Sequence, residues 1–285
     1  TIPENGPPSA ANGAAGKRDC LRWRDRVRLR AMIPRPSGIL ALLTDFGSRD
    51  PYVGLMKGMV LRNHPRATLV DLTHEVPPQD VALGAFLLRA AIDRFPPGTI
   101  VIAVVDPGVG TARRSLCGIR HGLYWIAPDN GLLGEVWRQP SEGELRAIDL
   151  EHLGLRPESR TFHGRDVYAP LAGNLASGRV GFTSVGPRVD DLVQLPPLSA
   201  SPPHVIHVDT YGNLVTNVPF SAIVNVRNVR LAGRSIPILG TYGEVQKGSL
   251  LALVNSYDLL EIAENQGSAA ATLGVGRGAE LSLEI

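Results

Sequence analysis

The sequence predicts two domains: an α/β domain on a mostly parallel, doubly wound sheet, then a small all-β barrel or sandwich. Three observations predict this. Apolar strands alternate with helical patterns up to about residue 180, the segment 181–203 is rich in proline, and glycine turns separate short β-runs from residue 204 onward. With 285 residues, 44% hydrophobic and 20% charged, the chain can fill a core in each domain.

Residues 1–37 open as Pro/Gly/Ala-rich coil and end in an arm with eight Lys or Arg between Lys17 and Arg35. Little apolar periodicity runs through them, so the stretch reads as a disordered basic extension, a solvated tail in preference to a nucleic-acid arm. Met32, just ahead of the first strand, is a candidate natural start.

From Ile39 the pattern changes. "ILALLTD" is a buried strand, "PYVGLMKGMVLRNHP" a short helix closed by Pro65, and "ATLVDLTH" a second strand. In "DVALGAFLLRAAIDRFPPG" the residues Val81, Ala85, Leu88, Ile92 and Phe95 recur at helical spacing, and Pro96, Pro97 and Gly98 stop the helix. "TIVIAVVD" is a third apolar strand. Strands at "LYWIAPD" and "ELRAIDL" and a helix after "FHGRD" complete the domain, 38–180. The linker 181–203 follows, and then "HVIHVDTYGNLVTNVP", "VRNVRLAGRSIPILG", "SLLALVNSYDLLEIAE" and "ELSLEI" form the β-domain, 204–285, with no convincing amphipathic helix.

A net charge of +2 points to no partner class, and two cysteines, Cys20 and Cys117, make neither a disulfide framework nor a metal cluster. A reducing cytoplasm fits best. No apolar run approaches the roughly 18 residues of a membrane span, so no membrane partner is expected.

Open α/β sheets bind ligands outside the carboxyl ends of their strands. Three strands end there in polar residues: Asp45, His74 and Asp106. Asp45 in "TDFG" and Asp106 in "DPGVG" are also good turn residues, and His74 stays undecided. "GVGTAR" lacks the third glycine and the following helix of a dinucleotide fingerprint. Asp45, His74, Asp106, Asp129 and His163 are residue types of a hard-metal site, but none stands at a local ligand spacing such as HExxH, and no metal or cofactor is expected. His163 in "TFHGRD" is crowded by an aromatic, a glycine and a charged pair, as in a site loop.

Seven segments, "LLTDFGSRDPYVGLMKG", "VDLTHEVPPQDVALGAFLL", "VVDPGVGTARR", "YWIAPDNGLL", "TFHGRDVYAPLAG", "DTYGNLVTNV" and "NSYDLLEIAENQG", together resemble the S-adenosylmethionine (SAM) hydroxide adenosyltransferases, the adenosine-forming SAM hydrolases related to fluorinases and chlorinases. The resemblance runs in order from Ile39 through both domains. It implies water attacking the ribose 5′ carbon of SAM to release adenosine and L-methionine, in a trimer whose substrate lies between the α/β domain of one subunit and the β-domain of the next. The family's Asp, Arg and His map onto Asp106, Arg113 and His163, with Arg114 a rival for the arginine and Arg113 preferred by its spacing from the aspartate. A carboxylate or imidazole suits this chemistry, because water is a weak nucleophile and the sulfur departs neutral without an acid. Arg113 would orient Asp106, and Gly108 and Gly110 would let the backbone approach the ligand.

The same resemblance implies that Asp45 accepts the ribose hydroxyls and Phe162 packs near ribose or adenine. Asp209, Asn213 and Ser256 would hold the methionine end or adenine from the partner subunit, and the backbone from Glu264 to Gln266 would read the adenine edge. Glu261 joins these candidates, although it also reads as a plain strand residue, and "DTYGN" as a plain hairpin turn. The halogenating relatives carry tyrosines in place of Asp106 and His163, and the fluorinases a serine in place of Gly164, so the resemblance favours water over halide; Gln79 stands where the fluorinases have a tryptophan, so the resemblance does not extend to adenosine stacking there. A SAM- or adenosine-binding sensor with incidental turnover is the alternative from another class.

Overall fold

A computed structural model describes residues 33–285. Cys20, Met32 and most of the basic extension lie outside the described residues. Its last five residues run along the α/β domain: the Tyr124 hydroxyl donates to the Pro34 carbonyl at 2.7 Å, and Ser37 N donates to Gly98 O at 3.0 Å.

The α/β domain holds strands β1 (Ile39–Thr44), β2 (Thr68–Thr73), β3 (Ile100–Val104), β4 (Ser115–Arg120), β5 (Leu123–Pro128), β6 (Gly143–Ala147) and β7 (Arg188–Val189). They form one sheet in the order β2-β1-β3-β5-β4-β6-β7. The first four in that order run parallel, and β4, β6 and β7 are antiparallel to their neighbours. Strand residues alternate between two cores, as a sheet covered on both faces requires. Leu40, Leu42, Ile100 and Ile102 face helices α1 (Tyr52–Asn63) and α4 (Ala169–Ala176), while Ala41, Leu43, Val101 and Ala103 face α2 (Val81–Leu88) and α3 (Gly134–Arg138).

The helix expected to run on to Pro96 is shorter. It ends at Leu88, a 3₁₀ turn follows over Arg89–Ala91, Ile92 is extended and Asp93 takes a left-handed φ of 57°. Ile92 and Phe95 still pack against the same core, so the spacing reported burial without reporting helix. The proline-rich linker is docked on the α/β domain. It contributes β7 to the sheet, Val193 N donates to Asp129 Oδ1 at 2.8 Å, and Arg138 Nη2 donates to Leu195 O at 2.7 Å.

The second domain packs a four-stranded antiparallel sheet against a three-stranded one. The first has the order β12 (Leu250–Val254), β13 (Leu259–Glu264), β9 (Leu214–Pro219) and β8 (Val205–Val208). The second has β11 (Arg234–Pro237), β10 (Asn228–Leu231) and β14 (Ser282–Glu284). Val205, Leu214, Val229, Ile236, Leu260 and Ile262 fill the space between them. One short helix, α5 (Ala269–Leu273), escaped the sequence reading because five residues carry no periodicity; Ser268 caps its start and left-handed Gly274 its end. The domains meet where Phe86 and Tyr257 pack edge to face at 5.2 Å, and Arg89 Nη2 donates to Tyr257 O at 2.5 Å.

Candidate active site

The chain leaves β1 over one face of the sheet to reach β2, then crosses the other face to β3 on the far side of β1. The crevice between the carboxyl ends of β1 and β3 is therefore the point where strand order reverses, the usual ligand site of such sheets. Asp45 follows β1 there and Asp106 follows β3. They share a cleft of about 390 Å³ with Phe46, Tyr52, Gln79, Phe162 and His163 among its walls.

Asp106 is 4% exposed and paired with Arg113, itself 9% exposed. Arg113 Nε donates to Asp106 Oδ1 at 2.8 Å and Nη2 to Oδ2, a bidentate fork. The second Nη2 hydrogen goes to His163 Nδ1 at 3.1 Å, and Nη1 donates to Arg114 O at 3.2 Å and Ser115 Oγ at 3.0 Å. All five guanidinium N–H groups are thereby used.

Period-two alternation into β4 decides between the two arginines. Arg113 and Ser115 point to the cleft side, and Arg114 points away, where its Nε meets Asp129 at 2.7 Å and its Nη1 meets Asp191 at 3.0 Å. Those carboxylates raise the Arg114 guanidinium further above its usual range.

His163 precedes a wide π-type turn, Gly164–Tyr168, that leads into α4. Burial, and secondarily the Arg113 charge, lowers its imidazole below the ordinary value, so the ring is neutral. Arg113 can only donate. Nδ1 must therefore be the unprotonated nitrogen, and Nε2 carries the hydrogen. A Cβ at Gly164 would come within 3.0 Å of the Met56 sulfur, so the turn sits hard against α1.

Asp45 Oδ2 accepts the backbone N–H of Gln79 at 2.8 Å, and Gln79 holds a left-handed φ of 67° to deliver it. Burial raises the Asp45 carboxyl above the ordinary range, with Asp106 acting in the same direction against the Gln79 bond. Phe46, Tyr52 and Phe162 meet edge to face at 5.4–5.8 Å as an aromatic wall, and the Arg165 guanidinium lies 5.0 Å above Phe162.

Other candidates lie elsewhere. His74 is turned to Thr44 Oγ1 at 2.8 Å and Asp71 at 3.0 Å, and Asp129 to Arg114 and Val193; among the described residues no three metal-ligating side chains converge. Gly110 has a structural reason to be glycine: its φ is +80°, and a Cβ would lie 2.8 Å from Arg160 O, whereas Gly108 has room for one.

The β-domain candidates line none of this cleft. Asp209 Oδ1 accepts Tyr211 N and Asn213 N at 2.9 Å, and Asn213 Nδ2 reaches Asp209 Oδ2 at 2.9 Å, a closed turn around left-handed Gly212. Glu261 is buried between Tyr242 Oη at 2.8 Å and Asn255 Nδ2 at 3.2 Å. Glu264 is bonded to Thr272, Gln266 has a left-handed φ of 56°, and Ser256 lines a separate groove beside Arg89 and His121. Tyr52 borders the cleft, and Ser115 and Tyr168 support Arg113 beneath it, without a sequence mark of their own beyond the i, i+2 relation of Ser115 to Arg113.

Comparison with known proteins bears on this geometry. The models of the SAM hydroxide adenosyltransferase N-terminal and C-terminal domains match residues 40–186 and 203–282. The chain belongs to this family. A relative from Thermus thermophilus named (R)-S-adenosyl-L-methionine hydrolase is 38% identical over 85% of this chain and 97% of its own. A fluorinase from Nocardia brasiliensis is 27% identical over 87% of this chain and 97% of its own. Among solved structures, an uncharacterized conserved protein from Thermotoga maritima superposes with a TM-score of 0.78 at 34% identity, covering 86% of this chain and all of that one. The family's two domain matches coincide with the α/β and β-domains and leave out residues 187–202, within the docked connection.

Proposed function

We propose that this protein hydrolyses S-adenosyl-L-methionine to adenosine and L-methionine, and that, like the relatives' name, its substrate is the (R)-sulfonium epimer. One observation carries the reading: Arg113 gathers Asp106 and His163 at the crevice of β1 and β3, facing Asp45, in a chain of this family. Water attacks the ribose 5′ carbon; the new C–O bond forms as the C–S bond breaks, and its electron pair returns to sulfur, giving neutral methionine thioether. Asp106 takes the proton of the attacking water. His163 donates from Nε2–H to the water oxygen and fixes its direction, since Nδ1 is occupied by Arg113. Asp45 receives the ribose hydroxyls, and the aromatic wall covers the sugar.

Chromatography of each SAM epimer incubated with the protein, with and without chloride or fluoride, tests this. Equal adenosine and methionine from the (R)-epimer, indifferent to halide, is the expected result. A 5′-halo-adenosine would establish a halogenase, and bound adenosine without turnover a sensor.

The β-domain candidates Asp209, Asn213, Ser256, Glu261, Glu264 and Gln266 are proposed to complete the site of a neighbouring subunit in a homotrimer. The cleft in one chain is walled by the α/β domain alone, and Tyr211, beside Asp209, is 78% exposed. Light scattering at three times the chain mass supports this; monomers with full activity refute it. A cytoplasmic setting suits Cys117, a buried free thiol. Among the described residues no helix is long and apolar enough to cross a membrane.

Two further outcomes follow from the site. Asp45→Ala raises the adenosine Kd about 10- to 100-fold, the worth of hydrogen bonds to a charged group; titration calorimetry showing an unchanged Kd removes Asp45 from ribose binding. The neutral His163 ring is needed, and burial holds its value below that of an ordinary histidine. The acid fall of kcat therefore has its midpoint below 6.5, the ordinary histidine value; a midpoint at or above 6.5 contradicts the assignment.

A further inference from the structure

Beneath the triad, where neither side chain lines the cleft, Arg113 Nη1 donates to Ser115 Oγ at 3.0 Å, and Ser115 Oγ meets the Tyr168 hydroxyl at 3.1 Å. Tyr168 is fully buried in the core beneath α4. Burial pushes its phenol up to about 12, so it presents a neutral dipole beside the cation.

The Asp106 fork holds one edge of the guanidinium and leaves the plane free to rock about that edge. Nη2 serves Asp106 and His163 at once, so a rocking guanidinium breaks the bond to His163 Nδ1 first. That bond alone fixes which imidazole nitrogen carries the hydrogen. The opposite edge is held by the Arg114 carbonyl and by Ser115, and only Ser115 is a replaceable side chain.

We propose that Ser115 and Tyr168 are positioning residues for the hydrolysis: as a hydroxyl pair behind Arg113 they fix its plane, and through it the Nε2–H tautomer of His163. The inference rests on the hydrolase reading of the triad. It assigns no contact with substrate to either residue, so their loss acts on turnover and not on binding. Ser115 opens β4 on the same side as Arg113, and Tyr168 ends the wide turn that begins beside His163. The pair thus joins the two segments that carry the triad from behind.

Steady-state kinetics of Ser115→Ala, Tyr168→Phe and Ser115→Thr test this, together with ¹⁵N NMR of the His163 ring. Ser115→Ala is expected to lower kcat about tenfold, one hydrogen bond to a charged group, and Tyr168→Phe, which removes a bond between neutral hydroxyls, about threefold, with KM within about twofold in both. Ser115→Thr keeps the hydroxyl and recovers kcat to within about threefold of the parent. The ring spectrum shows the Nε2–H form in the parent and a mixture of tautomers in Ser115→Ala. Parent-like kcat in Ser115→Ala, equal damage in Ser115→Thr, or an unchanged ring spectrum overturns the proposal. Asp106→Asn measured alongside separates the two failures. If it keeps turnover, the triad reading itself falls; if it is inactive while Ser115→Ala is parent-like, only the positioning role falls.

Discussion

Asp106→Asn lowers kcat by about 10²–10⁴-fold, the contribution of a positioned base, while the adenosine Kd stays within about threefold. The amide is isosteric and its oxygen can accept from Arg113 Nε, while its NH2 faces the Nη2 donor and gives up that half of the fork; it cannot take a proton from water. Asp45 and the aromatic wall, the proposed holders of the nucleoside, are untouched by the change. Single-turnover chemistry on bound SAM, followed by rapid quench, separates the two effects. A variant that loses binding and turnover together would show that Asp106 holds substrate instead of water.

Arg113→Met has the second large effect, and it acts on stability as well as rate. The Asp106–Arg113 pair is almost wholly buried, at 4% and 9% exposure. Removing the cation strands a carboxylate away from water, which costs about 3–5 kcal/mol of unfolding free energy in urea titration. The double variant Asp106→Asn/Arg113→Met recovers part of that loss, because the stranded charge is gone too. Turnover falls at least as far as in Asp106→Asn, since both the carboxylate and the His163 tautomer lose their support. A single variant of parent-like stability would mean that water reaches Asp106 freely.

Much of this site could be read from the chain alone, for a definite reason. Buried parallel strands write long apolar runs, and the first polar residue after each run must emerge at the carboxyl edge. Asp45 and Asp106 were therefore visible, as was His74, which emerges at the same edge and turns back to Thr44 and Asp71. Residue type could not tell those fates apart. Arg113 and Arg114 were separated only by the alternation into β4, whose start the loop "GVGTARR" conceals. Ser115 and Tyr168 were silent because neutral hydroxyls 53 residues apart carry no mark of their meeting. Likewise the helix after Asp80 stops at Leu88 although its apolar spacing continues, since Ile92 and Phe95 are buried from non-helical backbone.

The docked connection between the domains has a mechanical consequence. Asp191 and Val193 tie it to the α/β domain through Arg114 and Asp129, and Asn217 of the β-domain grips its far end, donating to Leu198 O at 3.0 Å and Pro202 O at 3.1 Å. A strap pinned at both ends restrains motion between the two domains of one chain. The crevice rim itself is made of side chains of the α/β domain, the Phe46, Tyr52 and Phe162 rings among them. Because one anchor is Arg114, a pull on the strap is felt one peptide bond from Arg113.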